Sequence, residues 1–214
     1  MLKHYWKAIE EYKRLREYDN GDDNQAIALL GLFVDYSEPG QFGTGEINEG
    51  ERKQLIDWVV GFADVPGPVV EIGTLFGFST MALCEGVHLS GVRKKIITVD
   101  NYGWNPFGVP VYRHRMITKH NLRFAQSLTD LEIVDSVADD FYKGFTEVPS
   151  FAFIDGDHRY ESVKKDLVFF RDIGARAISG HDYNFPDVSR AVKEVLGEDN
   201  LTVFDGTLFL YKAS

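Results

Sequence analysis

The stretch Val69-Val70-Glu71-Ile72-Gly73-Thr74-Leu75-Phe76-Gly77-Phe78-Ser79-Thr80 decides how the rest of this chain is read. Val69, Val70 and Ile72 make a short apolar run of the kind a buried strand presents, and Pro66-Gly67-Pro68 closes off what precedes it. Gly73 and Gly77 bracket a tight turn, and Ser79 to Glu85 reads as the helix that follows. Strand, glycine turn and helix start are the parts of a nucleotide-binding crossover. Backbone without a Cβ can approach a ligand, and the helix N-terminus offers unpaired N–H groups. Leu75 departs from the GxGxxG spacing, so a dinucleotide pyrophosphate is not the natural ligand. Glu71, at the strand end, points instead to a ligand that carries positive charge.

Outward from that turn, apolar runs alternate with helical patterns. Lys95–Val99 is a second strand ending in Asp100, followed by an aromatic loop over 101–111 and a helix over 113–127. Leu131–Val134 is a third strand with Asp135 and Ser136 after it, and 138–145 is a short helix. Ser150–Ile154 is a fourth strand ending in Asp155-Gly156-Asp157-His158, then a helix runs over 160–172. Ala175–Ser179 is a fifth strand ending in Gly180-His181-Asp182-Tyr183, with a helix over 187–196 behind it. Residues 201–211 are two short strands around Asp205-Gly206, a two-residue hairpin signal. This alternation predicts an α/β fold, a doubly wound and mostly parallel sheet whose last strand is antiparallel. Ahead of it, Asn48 followed by Glu51 resembles a capping box, predicting a helix over 48–62. Residues 1–46 read as a helical extension: an amphipathic helix over 1–18, a second apolar segment over 25–35, and a loop with Pro39, Gly40, Gly43 and Gly45. The expected division is therefore 1–46 as an extension or cap and 47–214 as one domain.

Composition narrows the partners. Among 214 residues, 23 Lys and Arg against 33 Asp and Glu leave a net charge of −10, which opposes a nucleic-acid partner. The one basic cluster, Arg93-Lys94-Lys95, reads as solvated loop. A single cysteine, Cys84, excludes an intrachain disulfide and reads as a buried structural thiol, favouring a reducing compartment. No signal peptide and no membrane-length apolar run is expected, so the cytoplasm is the default.

Ligands of doubly wound sheets sit outside the carboxyl ends of the strands. Here those ends read Glu71, Asp100, Asp135, Asp155 and Asp182, a carboxylate on each. Asp100 is placed to bind ribose hydroxyls, as the acid after a glycine turn does in nucleoside binders. Asp135 and Ser136 could meet an adenine edge or simply begin a loop. Asp155, Asp157 and His158 suit a hard divalent ion, a general base, or both, and Asp157 could equally cap the helix behind it. Asp155 and Asp182 are expected to face each other, with His181 beside them. His4, His88, His114 and His120 lack such context and read as surface or packing residues.

Residues 71–80 resemble the first motif of class I S-adenosylmethionine-dependent methyltransferases. Phe153-Ile154-Asp155-Gly156-Asp157-His158-Arg159-Tyr160-Glu161, with Asp166-Leu167 after it, is similar to the small-molecule O-methyltransferase branch that includes the macrocin and novobiocin sugar methyltransferases and, more distantly, the catechol type. The resemblance spans roughly 47–211. It implies a Rossmann-like seven-stranded sheet with a reversed last strand. It implies that Glu71, Gly73, Thr74, Gly77 and Ser79 surround the methionine end of S-adenosylmethionine, that Asp100 holds the ribose, that Asp135 and Ser136 lie by the adenine, and that Asp155 borders the cofactor. Metal-dependent members hold magnesium with residues matching Asp155, His181 and Asp182, and use a base matching Asp157. Here His181 stands where they have a carboxylate, and magnesium prefers oxygen. Either Asp155 and Asp182 suffice with waters, or the enzyme works without metal and Asp157 or His158 is the base. The expected reaction is methyl transfer to a sugar or phenol hydroxyl, with Trp104, Phe107, Tyr112 and the N-terminal helix over the acceptor and that helix a candidate homodimer surface. The rival readings are a metal-dependent phosphoesterase built on Asp155 to His158, and a non-catalytic nucleoside-binding module.

Overall fold

A strand buried on both faces is apolar at nearly every position, and β1 (Val69–Ile72) is buried throughout, Glu71 included. In the computed structural model, residues 47–105 and 108–213 are described; the expected extension over 1–46 and Phe107 lie outside them. α1 (Glu49–Gly61) opens at the expected cap, Glu51 N–H donating to Asn48 Oδ1 at 3.0 Å and Asn48 N–H to Glu51 Oε2 at 2.6 Å. After β1 come α2 (Phe78–Ser90), β2 (Lys95–Asp100), α3 (Val111–Leu128), β3 (Asp130–Asp135) and α4 (Ala138–Gly144). Then follow β4 (Phe151–Ile154), α5 (Tyr160–Asp172), β5 (Ala177–Gly180), α6 (Pro186–Leu196), β6 (Leu201–Phe204) and β7 (Leu208–Lys212).

The seven strands lie in the order β3-β2-β1-β4-β5-β7-β6, parallel except that β7 runs antiparallel to both its neighbours. Alternation along the strands divides the core in two. Val69, Ile96, Phe151 and Phe153 pack with Leu55 and Val59 of α1, Leu83 and Val87 of α2, and Leu122 of α3. Val70, Ile72, Ile97, Ala152 and Ile154 face the other way, onto Val163, Leu167 and Phe170 of α5 and Val188, Ala191 and Val192 of α6. The closing hairpin turns at Asp205 and Gly206 with φ of 50° and 77°, the two left-handed residues a tight two-residue turn needs. Among the described residues no helix is long and apolar enough to cross a membrane.

Some boundaries moved. β5 begins two residues later than expected, because the chain leaving α5 folds back at Gly174 and the Ala175 N–H bonds Phe170 O at 2.9 Å. α3 starts at Val111, since Pro110 already supplies the carbonyl for the N–H groups of Arg113 and His114. The basic cluster is corrected more sharply. Arg93 is exposed, but Lys94 is buried under the β1 entry, its Nζ donating to Val65 O at 2.5 Å and to Gly67 O and Ser150 Oγ at 3.0 Å each. Cys84 is buried as expected, and burial pushes its thiol up to about 12.

Lys94→Ala removes the donor shared by three acceptors and should lower the unfolding free energy in urea by about 2–4 kcal/mol. Lys95→Ala breaks an ion pair to Glu132 between half-exposed groups and should cost less than about 1 kcal/mol. Equal losses would show that the buried ammonium carries no stability.

Candidate active site

The strand order reverses between β1 and β4, and there the two following loops part. Backbone pairing continues past the strand ends: Gly73 N–H bonds Val99 O at 2.9 Å, Asp155 N–H bonds Ile72 O at 2.8 Å, Ser136 N–H bonds Asp100 O at 3.1 Å and His181 N–H bonds Ile154 O at 3.2 Å. The rim is thus one continuous row. Gly73 has φ 94°, and a Cβ there would stand 2.1 Å from Asp155 O, so only glycine fits.

Asp100 pins the glycine turn. Its Oδ2 accepts from the N–H groups of Thr74 at 2.9 Å and Leu75 at 2.8 Å, and its Oδ1 from Tyr102 N–H at 2.6 Å. Leu75 and Tyr102 both have positive φ, 47° and 58°, and the carboxylate holds both bends. A carboxylate offers about four acceptor positions, so this one, on the cavity wall, keeps capacity for a ligand hydroxyl. Thr74 and Ser79 reach the same wall.

Glu71 does not reach it. The side chain expected to meet a cationic ligand is fully buried and accepts from Ser79 Oγ at 2.6 Å, Thr80 Oγ1 at 2.5 Å and Thr98 Oγ1 at 2.6 Å. Burial pushes its carboxyl up to about 7 despite those three donors. Its link to the cavity runs through Ser79. Gly77, the left-handed N-cap of α2, is packed on Leu122, whose Cδ2 a Cβ would meet at 2.8 Å. Asp135 turns away into an ion pair with Arg115 at 2.6 Å, while Ser136, Val137 and Ala138 line the cavity in its place.

On the other side, Asp155, His158 and Asp182 present ligand atoms within 4.8 Å of one another, the one such metal-capable group among the described residues. His158 Nε2 lies 2.9 Å from Asp182 Oδ2 and 3.8 Å from Asp155 Oδ1. The neighbouring Asp155 and Asp182 carboxylates raise His158 to about 10. Burial acts to raise Asp182, but His158 and His181 outweigh it and hold that carboxyl far below its usual range. Asp155 is raised by burial. Asp182 adopts φ 57°, a left-handed turn in which aspartate is tolerated. His181 is buried behind the carboxylates, its Nε2 3.3 Å from Glu51 Oε1. Asp157 is engaged elsewhere: it accepts from Arg159 Nε at 2.7 Å, Arg159 N–H at 3.0 Å and Ser162 Oγ at 3.0 Å, and the guanidinium lowers it to about 2. It is not the cap of α5, which begins behind Arg159 without a side-chain cap bond; its bonds to Arg159 and Ser162 brace the turn ahead of that helix.

The glycine turn, Asp155 and His158 open onto one cavity of about 1410 Å³, with His181 and Asp182 behind its wall. Trp104 lines it, whereas Tyr112 is exposed outside it against Arg113. The strand-end reading missed Phe185, Asp187, Lys165 and Asp166 on the wall, since they come from helix starts and interiors rather than strand ends. Asp166 accepts from Tyr142 at 2.7 Å, and burial raises it to about 7. Of the remaining histidines, His88 and His120 are exposed and His114 packs between the carbonyls of Tyr102 and Leu75, as expected; His4 lies outside the described residues.

A doubly wound sheet with an antiparallel seventh strand and a cavity at the β1/β4 switch is the architecture of Rossmann-like methyltransferases. A family model described as a methyltransferase domain matches residues 70–183, and the chain belongs to that family. Among solved structures it is similar to the O-methyltransferase from Bacillus cereus in complex with S-adenosylhomocysteine, at 16% identity over 96% of this chain and 100% of that one, with a TM-score of 0.60. It is also similar to the TDP-rhamnose 3'-O-methyltransferase CalS11 of calicheamicin biosynthesis, at 16% identity over 96% of this chain and 93% of that one (TM-score 0.57). The O-methyltransferase NovP matches at 18% identity over 78% and 80% of the two chains (TM-score 0.58). A search of curated proteins finds no match in sequence. At these identities the structures establish the fold.

The Glu71 cage gives a signed pH effect. A carboxyl raised to about 7 binds its proton more tightly folded than unfolded, so its contribution is greatest below about pH 4.5 and is lost as the pH rises through 7. Glu71→Gln should therefore gain stability relative to the parent between pH 5 and 8 by up to about 3 kcal/mol in urea denaturation. A pH-independent difference would show that the carboxyl stays ionised throughout.

Proposed function

We propose that this protein transfers the methyl group of S-adenosylmethionine to a hydroxyl of a small molecule, a sugar or phenol acceptor. The observation that carries this is one cavity whose one wall is the Asp100-pinned glycine turn and whose other includes Asp155 and His158, with Asp182 directly behind them. The family match and the O-methyltransferase activities of the structural neighbours support it. The family match also weighs against the phosphoesterase reading, which gives the glycine turn no task.

The bound cofactor supplies a methyl made electrophilic by its sulfonium. The chain's own work is to align and deprotonate the acceptor. In this reading Gly73, Thr74 and Ser79 hold the methionine end, with Glu71 and Gly77 acting from behind by fixing Ser79 and the α2 start. Asp100 accepts a ribose hydroxyl, and the backbone at Asp135 and Ser136 frames the adenine. Asp155 stands between cofactor and acceptor. His158 takes the acceptor proton, and Asp157 positions the loop through Arg159. Trp104 and Phe185 give the acceptor an apolar face, with residues 1–46 as its cap and as a surface for pairing two copies. The cytoplasm suits the lone buried thiol.

The donor set fits a divalent cation. Asp182 Oδ2 and His181 Nδ1 are buried without a hydrogen-bond partner, and the Asp155 and Asp182 carboxylates converge on that nitrogen. Asp155 and Asp182, with His181, would hold the ion, magnesium being the first candidate. A cation there would lower the acceptor's pKa and offset the carboxylate charge that keeps the His158 proton in place.

Calorimetry should show one S-adenosylhomocysteine bound per chain; no binding of it or of S-adenosylmethionine would end the methyltransferase reading. With an acceptor found by screening sugar nucleotides and phenols for homocysteine-nucleoside release, His158→Gln should lower kcat by about 10²–10⁴. Asp157→Asn should stay within about tenfold of the parent. The reverse ranking would make Asp157 the base, and binding without turnover on every acceptor would favour the nucleoside-binding module.

A further inference from the structure

We propose that Glu51 and His181 turn the Asp155–Asp182 pair into a mixed nitrogen–oxygen cation site that selects a first-row transition dication such as Fe²⁺, Co²⁺ or Zn²⁺ over magnesium. The site is the one invoked for methyl transfer, so the inference rests on that reading for its purpose but not for its chemistry.

His181 is almost sealed, its side chain 6% exposed, and it is aimed at the carboxylates from the protein side. Its Nδ1 stands 3.5 Å from Asp182 Oδ2 and 3.9 Å from Asp155 Oδ1, yet makes no hydrogen bond. Asp182 Oδ2 is also without one, its near neighbour His158 Nε2 standing at 2.9 Å as an ion-pair partner. A buried nitrogen and a buried carboxylate oxygen that face each other unbonded are what a cation between them would satisfy. The spacings suit it. Ligands about 2.1 Å from a metal stand roughly 3–3.4 Å from one another, and His181 Nδ1 at 3.5 and 3.9 Å from the two carboxylate oxygens needs only to draw in by a few tenths of an ångström.

Glu51 decides which nitrogen faces the site. Its Oε1 lies 3.3 Å from His181 Nε2, and the carboxylate is itself held by the Asn48 N–H and the Thr207 hydroxyl. An imidazole that donates Nε2–H to a fixed carboxylate turns its Nδ1 lone pair toward the metal, the arrangement that orients metal-bound histidines generally. Imidazole nitrogen suits iron, cobalt, nickel and zinc, whereas magnesium takes oxygen almost alone. His158 stands in front, 35% exposed and on the cavity wall, and is left to face the acceptor. Glu51 comes from α1, outside the residues 70–183 that the family model matches.

The test uses the full chain stripped with chelator, titrated with Co²⁺ by visible absorption and with Mg²⁺ by competition. Because cobalt outranks magnesium at most mixed sites, the readout is the Co:Mg affinity ratio across variants. His181→Asp should lower that ratio at least about tenfold and change the cobalt spectrum, and Glu51→Gln should weaken cobalt about 10–100-fold with a smaller effect on magnesium. An unchanged ratio and spectrum in His181→Asp, or a parent that binds no cobalt, overturns the proposal. A measurement that needs no change at His181 guards against misfolding: pulsed EPR of bound Mn²⁺ in His158→Gln should still show nitrogen coupling, and its absence overturns the proposal as well. S-adenosylhomocysteine calorimetry on the same samples separates the two readings, since a nitrogen-bound metal without nucleoside binding would sink only the methyltransferase assignment.

Discussion

The carbonyl of Asp155 stands where a side chain at position 73 would begin, 2.1 Å from the place of a Cβ. That close approach of two strand ends is the constraint on which the rest depends. It holds the β1 loop and the β4 loop in contact at their roots, where the strand order reverses, and forces them to diverge above. The cavity is the space they leave. Asp100 then stiffens one side by accepting three backbone N–H groups, so the turn is rigid before a ligand arrives. The acceptor side is drawn from loops, helix starts and the interior of α5.

A sheet that gathers carboxylates on one rim must neutralise them singly, since buried charge is costly unless paired or hydrogen-bonded. Four solutions coexist within this site. Three hydroxyls surround Glu71, a guanidinium clamps Asp157, a phenol serves Asp166, and two imidazoles flank Asp155 and Asp182. Hydroxyls and a phenol satisfy geometry without supplying charge, and those carboxyls sit near 7. The guanidinium supplies full charge, and Asp157 falls to about 2. Of these carboxylates Asp182 alone keeps a buried oxygen unbonded, facing the unbonded His181 Nδ1. The carboxylates paired with groups that can themselves give up a proton are thus Asp155 and Asp182.

Much of this was legible because period and punctuation agree with the fold. Apolar runs separated by helical patterns made the parallel sheet readable, Asp205-Gly206 the reversed strand, and the Asn48–Glu51 spacing the start of α1. Strand-end acids could be placed on a rim because a parallel sheet puts every strand's carboxyl end on one side. What each acid touches was not legible. Glu71 was expected at the ligand and is sealed beneath it, since the hydroxyls that enclose it come from α2 and β2 and carry no local signal. Lys94 looked like one of three solvated basic residues, and only the arrival of Val65, Gly67 and Ser150 from distant segments makes it a buried donor.

Glu51 shows why a local explanation can hide a distant one. The capping box accounts for its residue type completely, because a glutamate three residues after an asparagine cap is what a helix start asks for. That sufficiency ends a one-dimensional reading. Yet a capping glutamate folds back over the helix N-terminus, and here the N-terminus of α1 abuts the end of β5 and the hairpin, so the other oxygen meets His181 and Thr207. The two tasks are compatible because one carboxylate has acceptors to spare. Anchoring by the cap also removes the side-chain freedom that would otherwise blur the orientation of His181. A residue that first stabilises a helix thus becomes the most rigid partner available to a buried histidine.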